Sequence, residues 1–208
     1  MQLLSITALA LILTATQTWA AERFEVVGDT IVYRSIISDD ADKRGVNQDD
    51  VVILESLLDA NPQVTTLEIT SSGGNLYAAI NMLRVVDTFG LDTRVTEYCE
   101  SACPFVFIAG VNRTMAEGAR LGFHLSYREP EELRAYYVAH KAEEDWTNAF
   151  EFASYMFEEG QRHANNVIPF MYASGLSPDF IHKANSSGSY EMWHPSREEL
   201  LAGGVITQ

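Results

Sequence analysis

The chain has 208 residues, is 47 % hydrophobic and 21 % charged, and carries a formal net charge of -15. This is enough apolar material for a sizeable core, which excludes a disordered chain. The acidic balance excludes a nucleic-acid binder, because phosphates need Lys and Arg; it also fits poorly with an anionic membrane surface and is compatible with cationic peptide ligands.

The first twenty residues read as a secretory signal. Leu3 to Leu13 is an apolar run and Thr18-Trp19-Ala20 a small-x-small cleavage site, although no Lys or Arg follows Met1. The alternative is an uncleaved anchor, for which the run is short. No other segment is apolar enough to span a bilayer, so the expectation is an exported, periplasmic or secreted chain without stable membrane insertion after cleavage. Residues 21–208 are expected to form a single domain, with a helical insertion over about 129–172.

Phe24 to Tyr33 reads as two strands around a Gly28-Asp29 turn. Residues 38–47 are polar and loop-like. Asp49 to Ala60 is an amphipathic helix that Asn61-Pro62 ends. Val64 to Thr70 is a strand, Ser71-Ser72-Gly73-Gly74 a turn, and Leu76 to Thr88 a helix closed by Gly90. Arg94 to Cys99 is a strand and Ala102 to Ala109 a buried helix; Thr114-Met115 and Ala119 to Leu125 are short strands. The pattern predicts an α/β fold with a largely parallel sheet, in which sites form beyond the carboxyl ends of strands.

Residues 129–159 then carry nine acids against two bases, with Trp146, Phe150 and Phe157 at near-helical spacing. They read as one or two acidic helices, packed on the flank or facing a partner. Farther on, Ser177-Pro178 starts a short helix and Tyr190 to Trp193 is a strand candidate. Ser196 to Glu199 forms a capping box for a last helix.

The chemistry concentrates at Cys99-Glu100-Ser101-Ala102-Cys103. A serine where a strand gives way to a helix is either a plain N-cap or a nucleophile beside unsatisfied N–H groups. The two cysteines are either a disulfide, which export permits, or two buried thiols. They are not a C-x-x-C pair, and no further ligands for a metal lie nearby. His124, ending a strand, is either a satisfied histidine or a general base for Ser101. Gly73-Gly74 lets the backbone turn its N–H groups toward a ligand. With the N–H of Ala102 they would form an oxyanion hole, each donor worth roughly a hundredfold or more in rate.

Ser72-Gly73-Gly74-Asn75-Leu76 with Ala78-Ala79, Thr93-Arg94-Val95, Cys99 to Cys103, Ala109-Gly110 with Arg113, and Leu121-Gly122-Phe123-His124 together resemble the Clp protease proteolytic subunit and its relatives in the crotonase-like superfamily, among them signal peptide peptidase A. The resemblance covers about Ile31 to Ser126. It implies a ClpP/crotonase-like fold of repeated β-β-α units with Ser101 as nucleophile, His124 as base 23 residues on, and Gly73, Gly74 and Ala102 around the oxyanion. It also implies a homo-oligomer, the acidic helices standing where the family's assembling helix lies. The family's third member, an aspartate, falls near Ala184 or Asn185, so Asn185 is the candidate orienter and Asp179 a weaker one. No lysine is placed as the base that signal peptide peptidase A uses, since Lys141 and Lys183 lie in helical segments.

The expected function is an exported serine peptidase acting on peptide or protein substrates, without cofactor, metal or nucleotide. The alternative is an inactive member of the same fold serving as a peptide-binding or oligomeric scaffold. Acyl-CoA chemistry is disfavoured by export and by the acidic charge.

Overall fold

The computed structural model describes residues 23–35, 45–188 and 190–208; the signal segment and residues 38–44 of the polar loop lie outside the described residues. The described chain opens with a hairpin, β1 (Phe24–Val27) and β2 (Thr30–Arg34), antiparallel about Gly28 at φ +64°. From β2 onward the sheet is parallel: β3 (Thr66–Ser71) pairs β2, and β4 (Asp92–Glu100) pairs β3. Every residue of β3 after Thr66 is buried, as expected of a strand covered on both faces.

Helices α1 (Gln48–Ala60) and α2 (Leu76–Phe89) connect these strands and pack on one another. Asn47 and Asp50 close a capping box at the start of α1, whose inner face is Val51, Leu54 and Leu58, each worth roughly 1.5–3 kcal/mol when buried. Gly90 stops α2 in the left-handed conformation, where a side chain would be strained.

The resemblance implied repeated β-β-α units; two strands precede α1, but α2 and the short helix after β4 each follow a single strand. β4 is long. Its first half pairs β5 (Arg113–Met115) and its second half pairs β6 (Arg120–Gly122), so one long strand carries two short neighbours in turn. The expected strand Ala119 to Leu125 is therefore only three residues long. Phe123 leaves the sheet and exchanges two backbone hydrogen bonds with Trp193, at 2.9 and 2.8 Å. That bridge is all that forms of the strand expected at Tyr190 to Trp193.

Beyond the sheet lie α4 (Pro130–His140), α5 (Ala149–Ala173), α6 (Pro178–Ala184) and α7 (Arg197–Ala202). Asn148 caps α5 by accepting from the N–H groups of Phe150 and Glu151, so Trp146 falls before the helix and shares no stripe with Phe150 and Phe157. The packed aromatics are Tyr136, Tyr137, Trp146, Phe152 and Tyr155, whereas Phe150 is 86 % exposed and Phe157 70 %. Arg113 secures the tail. Buried, it donates to the carbonyls of Ile108, Gly110, Ser174, Gly204 and Val205 at 2.8–3.4 Å. Burial pulls its pKa down, and five carbonyl partners replace the lost water.

Candidate active site

The carboxyl end of β4 carries the site. Beyond Glu100 the chain turns through Ser101, at φ +60°, into the short helix α3 (Cys103–Phe107). A left-handed serine is uncommon and is retained where surrounding structure over-determines it. Ser101 is not the helix cap: the cap position is Ala102, which makes no side-chain bond. The Ser101 hydroxyl instead meets His124 Nε2 at 2.7 Å. His124 Nδ1 lies 2.9 Å from the Leu125 carbonyl, which can only accept. The ring proton therefore belongs on Nδ1, and Nε2 is left to accept from the serine hydroxyl, the tautomer a general base needs.

The orienter expected from the sequence is elsewhere. Asn185 ends α6, and its side-chain amide donates to the carbonyl of Ile181 at 2.8 Å and faces Met171 Sδ. One turn of its own helix satisfies the amide, so it does not reach His124. Asp179 is exposed in the first turn of α6. Lys183 pairs with Glu199 and stacks over Trp193, and Lys141 lies over Tyr137. Among the described residues, the partners of His124 are Ser101 and the Leu125 carbonyl, with Tyr127 edge-on to the ring.

Gly73 and Gly74 sit against the elbow at φ +99° and +136°. A Cβ on Gly73 would stand 2.5 Å from Ser101 Cβ and 2.9 Å from the Ala102 nitrogen, so only glycine fits. Their N–H groups differ. That of Gly73 donates to Ser71 Oγ at 3.1 Å and so is not free for an oxyanion. The Gly74 and Ala102 N–H groups have no partner among the described residues. Hence the backbone donors open to a ligand are two rather than the three expected.

Behind the glycine turn is a buried network that the sequence did not reveal. Arg23 grips Asp50 with Nε at 2.8 Å and Nη2 at 2.6 Å, and also donates to the carbonyls of Ser35 and Gly45. Tyr33 donates to the same carboxylate at 2.6 Å. Burial, then the Asp50 charge, pushes the Tyr33 hydroxyl well above the ordinary tyrosine value. Ser35 donates to Ser71 Oγ at 2.6 Å, and Val46 N–H donates to the Gly73 carbonyl at 2.6 Å, which fixes the turn from below. The register of β3 on β4 also shifts here, from Ile69–Val95 to Ser71–Cys99, re-aiming the strand ends.

Cys99 and Cys103 form a disulfide with a Cα separation of 5.2 Å, which resolves the alternative left open by the sequence. Ser101, Ala102, Gly74 and His124 open onto a groove of about 1130 Å³, whose far wall includes Leu133, Tyr136, Tyr155 and Met156. His163 also lines it, edge-on to Phe105, its pKa lowered by burial. Burial foremost, with a hydrogen bond to Tyr136 and the charge of Glu159, pushes Tyr155 up to about 12, so it stays a neutral phenol. Among the described residues no cluster of His, Cys, Asp and Glu is arranged to hold a metal ion, and no helix is long and apolar enough to cross a membrane.

Comparison with solved structures places this architecture. The chain is similar to the ClpP1 N165D mutant from Listeria monocytogenes, with a TM-score of 0.54 over 92 % of this chain and 93 % of that one, at 16 % identity. The chain has a ClpP-like fold. It is also similar to Pseudomonas aeruginosa PA4980, at a TM-score of 0.50 and 13 % identity, covering 88 % of this chain and 74 % of that one. At such identities the likeness of this ClpP-like chain to both is one of fold. No family model and no curated protein matches the sequence.

Proposed function

We propose that this ClpP-like chain is an exported serine hydrolase, a peptidase using Ser101 as nucleophile and His124 as general base. The observation that carries the reading is the Ser101 Oγ to His124 Nε2 contact of 2.7 Å, made by a serine in the left-handed conformation at the mouth of the groove. The substrate carbonyl lies against the Gly74 and Ala102 N–H groups, which stabilise the oxyanion. Ser101 attacks as Nε2 takes its proton. Nε2 then returns the proton to the leaving amine, and water hydrolyses the acyl-enzyme. The Leu125 carbonyl fills the orienting place that a carboxylate holds in other triads. It fixes the tautomer but brings no full charge to stabilise the imidazolium, so the expected catalysis is slow.

The reading includes peptide or protein substrates, self-association and a periplasmic or extracellular location; the apolar segment ahead of Ala21 supports the last. A second reading, a peptide-binding scaffold without catalysis, is favoured by the one observation that among the described residues no carboxylate stands behind His124.

Intact mass after a fluorophosphonate probe separates the two. A single adduct on wild type, undiminished in Asn185→Ala and reduced on the order of a thousandfold or more in rate by Ser101→Ala and His124→Ala, is expected. A folded wild type that stays unmodified while a control hydrolase is labelled refutes the enzyme reading and favours the scaffold.

A further inference from the structure

We propose that the Cys99–Cys103 disulfide is a positioning device for Ser101, holding the serine in the left-handed conformation from which its hydroxyl meets His124. The inference rests on the reading of Ser101 as nucleophile.

A serine left to itself disfavours φ near +60° by a population factor on the order of ten, because Cβ crowds the following carbonyl. Something must hold Ser101 there. The bridge joins the two rigid ends of the elbow. Cys99 is locked in β4, paired on one side with Ser71 and on the other with Leu121. Cys103 is the first residue of α3. Both are fully buried, and Ser101 is the middle one of the three residues between them. A covalent link across so short a loop leaves the backbone few ways to run.

The neighbouring restraints leave a task for the bridge. Ser101 N–H donates to the Gly122 carbonyl at 3.0 Å, which fixes the entry to the turn. Gly73 closes one side of it, but with bare backbone that makes room for the serine and does not push it. At the exit, the five-residue α3 is held by burial of Val106 and Phe107 and by Thr93 donating to the Phe107 carbonyl, but its cap, Ala102, makes no side-chain bond. The disulfide adds a covalent tie at the residue next to Ala102, where no side-chain cap fixes the backbone. It also orients the Ala102 N–H, one of the two open donors, because Ala102 lies between Ser101 and the bridged Cys103.

The test compares wild type with Cys99→Ala/Cys103→Ala, both kept well below their melting temperatures and shown folded by near-UV circular dichroism. The readout is the second-order rate of fluorophosphonate labelling across pH. The expected result is labelling at least roughly fivefold slower in the variant at every pH, with the shape of the pH profile unchanged, because the base is intact and the serine is misplaced. A slowing of less than fivefold in folded protein, with only the melting temperature lowered, overturns the proposal and leaves the bridge a stabilising cross-link. If the variant does not fold, wild type held in dithiothreitol until its mass after alkylation shows two free thiols is compared with the oxidised protein by the same criterion. Absence of labelling in oxidised wild type is a different failure, that of the hydrolase reading itself.

Discussion

One wall of the groove is the carboxyl end of the sheet, and the other is the arm formed by α4 and α5. On the sheet side nearly every group is fixed more than once. Gly73 is bounded by Ser71, Val46 and the elbow; Asp50 receives Arg23, Tyr33 and the Asn47 N–H; Cys99 is paired on two edges and cross-linked. On the arm side α4 buries no residue, and α5 buries only Phe152, Val167 and Met171 along 25 residues. Aromatic faces hold the arm together more than any core does. On the proposed hydrolase reading the difference suits two kinds of work: reacting groups need sub-ångström placement, whereas a wall that would meet varied side chains is served by large apolar rings.

The contrast is broken most severely at the glycine turn. Gly73→Ala places a Cβ on Ser101 and Ala102 at a φ that alanine resists, so a loss of at least about 2 kcal/mol of stability and of nearly all probe labelling is expected, read by denaturant unfolding and adduct mass. Wild-type stability in Gly73→Ala would show that the turn has slack. On the arm, Phe152→Ala is expected to cost roughly 3 kcal/mol, because it empties the centre of the aromatic cluster, while Phe150→Ser changes stability by less than about 0.5 kcal/mol. Equal costs at the two positions would contradict the packing described.

The smallest expected effect is a pH dependence. Burial lowers the His163 pKa in the folded chain, so the unfolded chain binds its proton more readily. The contribution is absent above the unfolded value of about 6.5, and stability is lost as pH falls below it toward the folded pKa. His163→Phe, which keeps the ring against Phe105, should flatten that stretch of the melting-temperature profile. An unchanged slope would mean that other groups set it.

Much of this was legible in the sequence because it is local. The Gly28 hairpin, the Gly90 stop and the Ser196 capping box each need only a few neighbouring residues, and each forms as its residue types require. The Ser101–His124 pairing was legible through a resemblance spread over many short pieces. What was hidden depends on partners far along the chain. Nothing about Arg23 alone announces that it lies buried against Asp50, 27 positions on. Asn185 is a hydrogen-bonding residue in the right region, but its own helix turn is a nearer partner than His124. The aromatic spacing misled for a similar reason: Asn148 sets where α5 begins, and that choice decides which rings share a face.

The two backbone bonds between Phe123 and Trp193, with Leu125 N–H donating to the Ser187 carbonyl at 3.1 Å, give the site an order in time. A chain emerging from synthesis carries Ser101 well before it carries the residues that fasten the segment around His124. Contacts of such sequence separation close late, since loop closure must precede any gain from them. On the proposed reading, Ser101 and His124 are therefore brought together near the end of folding, and a partly made chain has the serine without its histidine partner.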